Sequence, residues 1–547
     1  MSAPCLVFVT GGVMSGLGKG ITTSSIARLL ACKGFEVSAM KIDPYINVDA
    51  GTMRPTEHGE VFVTADGGEI DQDLGNYERF LHKTLSKDHN LTTGKVYKKV
   101  IEKERKGDYL GKTVQIIPHL TDEIKKAIMK NAEGNDILLV EIGGTVGDYE
   151  NVPFLEAARQ LKLELGQRVV FVHVSFVPVP GFLGEPKTKP TQHSVKFLQQ
   201  MGIQPDFLVC RSVREVDSVR RQKLALFCNV KPECVINNPD VENIYELPLV
   251  FESQGFGDAI LDKLGLKPRG NQLYLWQRIV DEFRNASKEI VVGIVGKYVA
   301  TGEFELKDSY ISVNEAVKHA CAKLGAKPVI KWINSLSENI TKDLEEVDCV
   351  IVPGGFGSSG VKGKLEAIKY CRENKKPFLG LCFGMQLAVV EFARNVCGLD
   401  ADSSEINPHA EHKVVDILPE QRGINEKGGT MRLGEFPAVL VKGSLVWKLY
   451  EEAGRIADGV VFERHRHRYE VNPEYHDLLE SKGMLVSGKS PDGRLAEFIE
   501  VKGHPFFVAT QAHPEFTSWP GKPNPLFFGL VKAGLEKENS ELNDAYR

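Results

Sequence analysis

Ten cysteines are scattered through the 547 residues, and no two stand in Cys-x-x-Cys spacing. That absence argues against zinc ribbons and against a disulfide framework. Long apolar runs are also missing: no window approaches the roughly 20 apolar residues of a membrane helix. No basic block is long enough to hold a nucleic-acid duplex, and the formal net charge is −5. The opening stretch Met1–Thr10 lacks the charged segment and long apolar run of a secretory leader. No internal repeat is evident. These absences predict a soluble chain of a reducing, cytoplasmic compartment, with neither nucleic-acid nor membrane partner. What is present is ordinary globular composition, 42% hydrophobic, in a chain long enough for two or more domains.

The first half alternates two patterns. Leu6–Thr10, Val37–Ile42, Asp136–Glu141, Val169–Phe176 and Phe207–Cys210 read as buried strands, with helical stretches such as Ile21–Lys33 and Thr121–Asn131 between them. Alternation of this kind predicts α/β architecture, a mostly parallel sheet flanked by helices. The pattern breaks near Leu264–Gln272, a polar helix-like segment follows at Tyr274–Ser287, and a new strand starts at Glu289. Strands at Val329–Ile333 and Val347–Val352 then repeat the α/β logic. The expected division is a first domain at 1–268, a linker at 269–288, a second α/β domain at 289–535 and a frayed tail at 536–547.

Residues 10–22 read Thr-Gly-Gly-Val-Met-Ser-Gly-Leu-Gly-Lys-Gly-Ile-Thr, directly after the first strand. Glycines let successive backbone N–H groups face a phosphate, and the following helix adds its positive end. Lys19 is placed to bridge terminal phosphates. The string departs from G-x-x-x-x-G-K-[ST]: Val13 stands where the first glycine should be, and Gly20 replaces the hydroxyl residue. Acids suited to magnesium are Asp71 or Asp73, one of them structural, and Glu141 at the carboxyl end of a buried strand.

In the second half, Gly380-Leu-Cys-Phe-Gly384 places Cys382 between glycines at a strand-to-helix turn. Such an elbow is expected to expose the sulfur, and a nearby helix N-terminus favours thiolate. His513 follows a second apolar run and can take the thiol proton, and Glu515 can orient the imidazole. The segment Val352-Pro-Gly-Gly-Phe-Gly357 ends a strand with free N–H groups suited to an oxyanion hole. The run Arg464-His-Arg-His-Arg468 reads as the half-exposed face of one strand.

These segments resemble a class I, triad glutamine amidotransferase domain over about residues 289–535. The resemblance implies that Cys382 attacks the side-chain amide of glutamine, forms a thioester and releases ammonia. It implies oxyanion N–H groups at Gly355 and Phe383, and glutamine contacts at Gln386, Glu405 and Arg468.

Three further strings, Lys41-Ile-Asp-Pro-Tyr-Ile-Asn47, His58-Gly-Glu-Val-Phe-Val63 and Lys187-Thr-Lys-Pro-Thr-Gln-His-Ser194, extend the resemblance. With the phosphate loop and the glutaminase they resemble the CTP synthase family over essentially the whole chain. A P-loop NTPase-like amidoligase domain is thereby implied for the first half. The family uses UTP, ATP and glutamine, with Mg2+, and the loop's departure is the family's own form. The match implies ATP contacts at Gly16, Leu17, Gly18, Lys19, Gly20, Ile21, Lys41 and Asp73, and at the backbone of Pro239, Asp240 and Val241. It implies UTP or CTP contacts at Ser15, Asp148, Tyr149, Glu150, Lys187, Thr188, Lys189, Gln192 and Lys223. Asp73 and Glu141 would hold magnesium. Pro55, His58 and Val61 match an ammonia-channel gate, and Phe356 and Arg432 a region through which GTP activates. Product CTP would inhibit, and the family forms homotetramers and filaments. Two competing readings are a phosphate-loop amidotransferase acting on a corrinoid carboxylate and a non-catalytic scaffold. The Lys187–Ser194 string disfavours the first, and the intact Cys382, His513 and Glu515 disfavour the second.

Overall fold

The computed structural model describes residues 4–54, 59–181, 184–296, 300–301, 304–305, 307–337, 339–417, 421 and 429–545. The chain divides into two compact units. One comprises 1–50 and 73–281, and the other 51–72 and 282–547.

In the first unit, seven strands form one sheet in the spatial order Asn90–Thr92, Val37–Asp43, Ile137–Ile142, Cys5–Gly12, Val169–Phe176, Phe207–Ser212 and Val235–Pro239. Every pairing is parallel. Cys5–Gly12 and Ile137–Ile142 are buried at every position, as central strands covered on both faces must be. One helical layer closes over Leu6, Phe8, Val140 and Phe171, where the Phe8 and Phe171 rings stack at 5.4 Å. Parallel strands aim their carboxyl ends the same way, which gathers Gly12, Asp43 and Ile142 at one rim.

The second unit carries a nine-stranded sheet: Ala326–Asn334, Lys288–Gly296, Cys349–Val352, Phe378–Leu381, Phe507–Thr510, Ala496–Val501, Met484–Lys489, Arg432–Leu440 and Val460–His467. The first five strands are parallel, and the remaining pairings are antiparallel. Alternate residues of Phe378–Leu381 feed opposite cores, Phe378 into one and Leu379 and Leu381 into the other.

Three expectations change. Residues 51–72 group with the second unit rather than the first. They form a hairpin, Val61–Val63 paired antiparallel with Glu69–Asp71. The expected linker is mostly the helix Leu273–Arg284, whose buried Trp276 donates to the Tyr245 carbonyl at 2.8 Å and lies under the Arg28 guanidinium. The expected frayed tail continues the helix Pro525–Ala545.

Candidate functional site

Cys382 sits between the strand Phe378–Leu381 and the helix Phe383–Asn395 with φ 50° and ψ −102°. A side chain rarely adopts a positive φ, so the turn stores strain at Cys382. Small neighbours make the turn possible. A Cβ on Gly384 would lie 2.1 Å from the Val352 carbonyl oxygen, and one on Gly380 2.9 Å from the Ala509 methyl. The expected exposed sulfur is corrected: Cys382 is only 2% accessible and lines the floor of a cleft instead. Its Sγ faces the Arg466 carbonyl at 3.8 Å and receives the Gln511 amide at 3.7 Å.

His513 Nδ1 pairs with Glu515 Oε1 at 2.7 Å, and the imidazole stacks on Phe516. Burial alone would depress His513, but the charges of Glu515 and Cys382 outweigh it and raise the imidazole to about 10. A Cβ on Gly354 would sit 2.8 Å from His513 Cε1 and 3.7 Å from the Cys382 Cβ, so that glycine keeps the space between these two side chains open. Phe383 opens its helix, and its N–H therefore lacks an intrahelical acceptor.

The cavity at this centre measures about 290 Å³, and Gly355, Phe356, Cys382 and His513 line it together with Met53 and Val61 of the 51–72 segment. Among the expected glutamine contacts, Gln386 donates to the Tyr469 carbonyl at 2.9 Å, and Glu405 accepts from Gly357 N–H at 2.8 Å. Arg468 holds the Thr430 hydroxyl at 2.7 Å and the Gln421 side chain. Of the expected gate, Val61 is placed at the cavity, whereas Pro55 and His58 lie outside the described residues.

The run 464–468 is not a half-exposed face. Arg464, His465 and His467 are each at most 2% accessible. The hairpin covers the arginines. Arg464 donates to the Val63 carbonyl at 2.9 Å and lies over Phe62, and Arg466 pairs with Glu69 at 2.8 Å. Arg466 also spreads over the ring of Phe356. Arg432 points inward, between Glu470 and Glu497. Sequence reasoning singled out neither Arg466 nor Gln511. The available signal was the strict alternation of arginine and histidine, which puts the two residue types on opposite faces of a strand.

In the first unit the phosphate loop joins Cys5–Gly12 to the helix Lys19–Cys32. Val13, Gly16 and Gly18 all have positive φ, while Ser15 and Gly16 are exposed. Leu17 is buried beneath the loop, and Gly20 and Ile21 lie in the first turn of the helix. Lys19 Nζ donates to the Gly144 carbonyl at 2.9 Å. Burial lowers its pKa, with Glu141 opposing. Lys41 pairs with Asp73 and faces Glu141 at 3.5 Å and Asp43 at 3.7 Å. Burial raises the Glu141 carboxyl, and Tyr77 donates its hydroxyl to it. Asp71 falls in the hairpin of the other unit. Among the described residues no group of three or more His, Cys, Asp or Glu is placed to hold a metal alone. Asp73 and Glu141, which share the Lys41 ammonium with Asp43 beside a phosphate loop, do fit magnesium that takes its other ligands from phosphate and water.

A buried relay unseen in the sequence supports the loop. Thr10 Oγ1 contacts His173 Nδ1 at 2.9 Å, and His173 Nε2 contacts Ser194 Oγ at 2.8 Å. Asp148 accepts from Thr145 N–H at 2.8 Å in the loop that also carries Gly144, while Tyr149 and Glu150 are exposed. Lys187 pairs with Glu185, Gln192 donates to Thr188 at 3.1 Å, and Lys189 opens the helix Lys189–Gln200. Lys223 is exposed on the helix Ser218–Cys228. Arg211 holds the Pro239 carbonyl and Asp240, both at 2.6 Å, beside half-buried Val241.

Comparison with known proteins agrees with both halves. A family model described as CTP synthase N-terminus matches residues 5–266, and one described as glutamine amidotransferase class-I matches 305–533. A CTP synthase of Methanocaldococcus jannaschii is 56% identical over 540 residues, covering 97% of this chain and 98% of that protein. One of Methanococcus maripaludis is 56% identical over 542 residues, covering 97% and 99%. A solved glutaminase domain of a Trypanosoma brucei CTPS with bound acivicin covers 45% of this chain and 94% of its own, at 35% identity and a TM-score of 0.41. The chain therefore belongs to the CTP synthase family of glutamine-hydrolysing ligases.

Proposed function

We propose that the chain makes CTP from UTP, ATP and glutamine through a 4-phosphorylated pyrimidine. The observation that carries this reading is the pairing of His513 with Glu515 at 2.7 Å beside a nucleophile held at positive φ. Cys382 Sγ, as the thiolate whose proton rests on His513, adds to the glutamine side-chain carbonyl, and the Gly355 and Phe383 N–H groups receive the developing oxyanion. His513, cationic up to about pH 10, already holds the proton that the departing amine requires. The C–N bond breaks, ammonia leaves, and a thioester remains. His513 then takes a proton from water, the hydroxide adds, and glutamate leaves as the thiol is restored. Gln386, Glu405 and Arg468 position the substrate. The guanidinium suits the α-carboxylate, and Glu405 suits the α-ammonium.

In the first unit the uracil 4-oxygen attacks the γ-phosphorus of ATP, N3 gives up its proton, and ADP leaves. Ammonia adds to carbon 4, the phosphate departs with its oxygen, and loss of a proton gives the 4-amino ring. Lys19 and Lys41 stabilise charge at the phosphates, with Gly16–Ile21 cradling them and Pro239–Val241 beside the adenine. Asp73 and Glu141 would hold Mg2+, which neutralises phosphate charge when bound. Ser15, Lys187, Thr188, Lys189, Gln192 and Lys223 bind UTP, and Asp148, Tyr149 and Glu150 read the product CTP, which inhibits. Ammonia must travel unprotonated, since ammonium has no lone pair, and Val61 with Pro55 and His58 gates that passage. GTP stimulates the glutaminase through the region of Phe356 and Arg432. Assembly into homotetramers and filaments belongs to the same reading, and light scattering and electron microscopy test it.

The deciding experiment compares CTP formation from UTP, ATP and Mg2+ with glutamine or with ammonia. Product from both sources is expected. No product from either refutes the reading.

A further inference from the structure

Behind the Cys382 centre lies a group of ionisable side chains that the reaction does not use. Arg432 stands between two carboxylates, 2.7 Å from Glu497 and 3.0 Å from Glu470. Glu497 faces His465 Nε2 at 3.6 Å, and His465 Nδ1 meets His467 Nε2 at 3.0 Å. His467 Nδ1 faces Glu470 at 3.5 Å. The contacts therefore close into a ring. Both histidines and both glutamates are buried, and the Arg432 side chain is 11% accessible.

Counting protons explains how such a ring survives burial. With both carboxyls ionised it would hold a net negative charge away from water, which is costly. His467 Nδ1 and Glu470 Oε2 would also lack a hydrogen-bond partner among the described residues. One proton on Glu470 removes the net charge and gives His467 Nδ1 a donor facing it at 3.5 Å. The carboxyl can donate to His467 Nδ1, His467 Nε2–H to His465 Nδ1, and His465 Nε2–H toward Glu497. Burial and the charge of Glu497 raise Glu470 to about 8, and burial raises Glu497 as well. Burial and Arg432 hold both imidazoles neutral. The other charges acting here are Arg494 on Glu470, Asp492 on Glu497 and His513 on both imidazoles. Asp416 is the register partner of Glu470.

The ring members alternate in sequence with groups at the reacting atoms. Arg464, before His465, gives its carbonyl to His513 N–H at 2.7 Å. Arg466, between the two histidines, gives its carbonyl to the thiol. Tyr469, before Glu470, holds Gln386. The Glu497 carbonyl accepts from Gln511 N–H at 3.0 Å, and the Gln511 side chain reaches Sγ. We propose that Arg432, Glu470, His467, His465 and Glu497 form a closed, one-proton circuit that positions the backbone segments holding Cys382 and His513. Glu470 and the histidines are positioning residues, and loss of the proton loosens the centre.

The proposal rests on the glutaminase reading of Cys382, and its test separates the two. Glutamate release from glutamine is measured from pH 6.5 to 9.5 in the full chain. The parent should lose kcat with a midpoint near pH 8, with KM changing less. Glu470→Gln, which keeps a donor that cannot be lost, should abolish that decline. Glu470→Ala should lower kcat on the order of tenfold to a hundredfold, as misplacement of reacting groups does. Alkylation of Cys382 by iodoacetamide, read by peptide mass spectrometry, repeats the comparison without turnover. It decides for the circuit even if no glutamate is released, an outcome that would sink only the hydrolase reading. The same alkaline profile in parent and Glu470→Gln, in release or in alkylation, overturns the proposal. If Glu470→Ala does not fold, the Glu470→Gln profile alone decides.

Discussion

Gly20 shows how finely the phosphate loop is fitted. A methyl group there would lie 1.9 Å from Asp73 Oδ1, well inside contact distance, so the carboxylate that pairs with Lys41 must move. Gly20→Ala is expected to cost most CTP formation from either nitrogen source while leaving glutamate release largely intact. Equal loss of both activities would show that the substitution acts through folding. Cys382→Ala should do the reverse, abolishing glutamine-dependent synthesis and sparing synthesis from added ammonia. Parallel loss with both sources would contradict separate centres. Cys382, His513 and Glu515 stood out in the sequence because the chemistry expected of each depends on near neighbours, glycines about the thiol and a single residue between His513 and Glu515. Burial of the thiol was not legible. The cavity beside it is lined partly by Met53 and Val61, more than 300 positions away in sequence.

Among the elements, the hairpin Val61–Val63/Glu69–Asp71 is the least local. Phe62 is 1% accessible and meets Phe516 edge-on at 5.0 Å, the same ring that stacks on His513. Phe62→Ala should destabilise the second unit by about 3–5 kcal/mol, the usual cost of emptying a buried phenyl site. It should also slow glutamate release more than ammonia-dependent synthesis. A variant with unchanged thermal unfolding and unchanged glutamate release would refute that coupling. Periodicity located most central strands within a few residues because a fully buried strand must be apolar throughout. The run 464–468 defeated the same logic. Its arginines and histidines are polar, yet Val63, Phe62 and Glu69 cover the arginines while Glu497 and Glu470 face the histidines, and no local pattern announces those partners. The helix Leu273–Arg284 was read as a linker because its outer face is polar, while Trp276 anchors its inner face.

At the scale of the whole molecule, buried histidines set the response to acid. Burial pushes His173 down to about 3, with Lys19 adding to the effect. The unfolded chain takes up a proton near pH 6.5, whereas the fold refuses it until about pH 3. Stability therefore falls as pH drops through that window, by up to about 1.4 kcal/mol per pH unit for one such group. Glu123 acts in the same direction, its carboxyl held near 2 by Lys103, Lys99 and Lys126 against the cost of burial. Its contribution is present above pH 4.5 and fades as pH falls toward 2. The urea midpoint followed from pH 7 to pH 4 should decline, and less steeply in His173→Gln than in the parent. Parallel curves would dismiss His173 as the acid-sensitive group.

The backbone passes between the two units at 50/51, at 72/73 and at 281/282. A single cut at 281/282 therefore cannot yield both parts whole. The carboxyl-terminal fragment would keep its thiol, base and acid but lose the wall of the chamber supplied by Gly51, Met53, Arg54, Glu60 and Val61. Anyone borrowing it as an ammonia source should splice the twenty-two residues 51–72 back on, or expect the gas to escape into bulk solvent as ammonium.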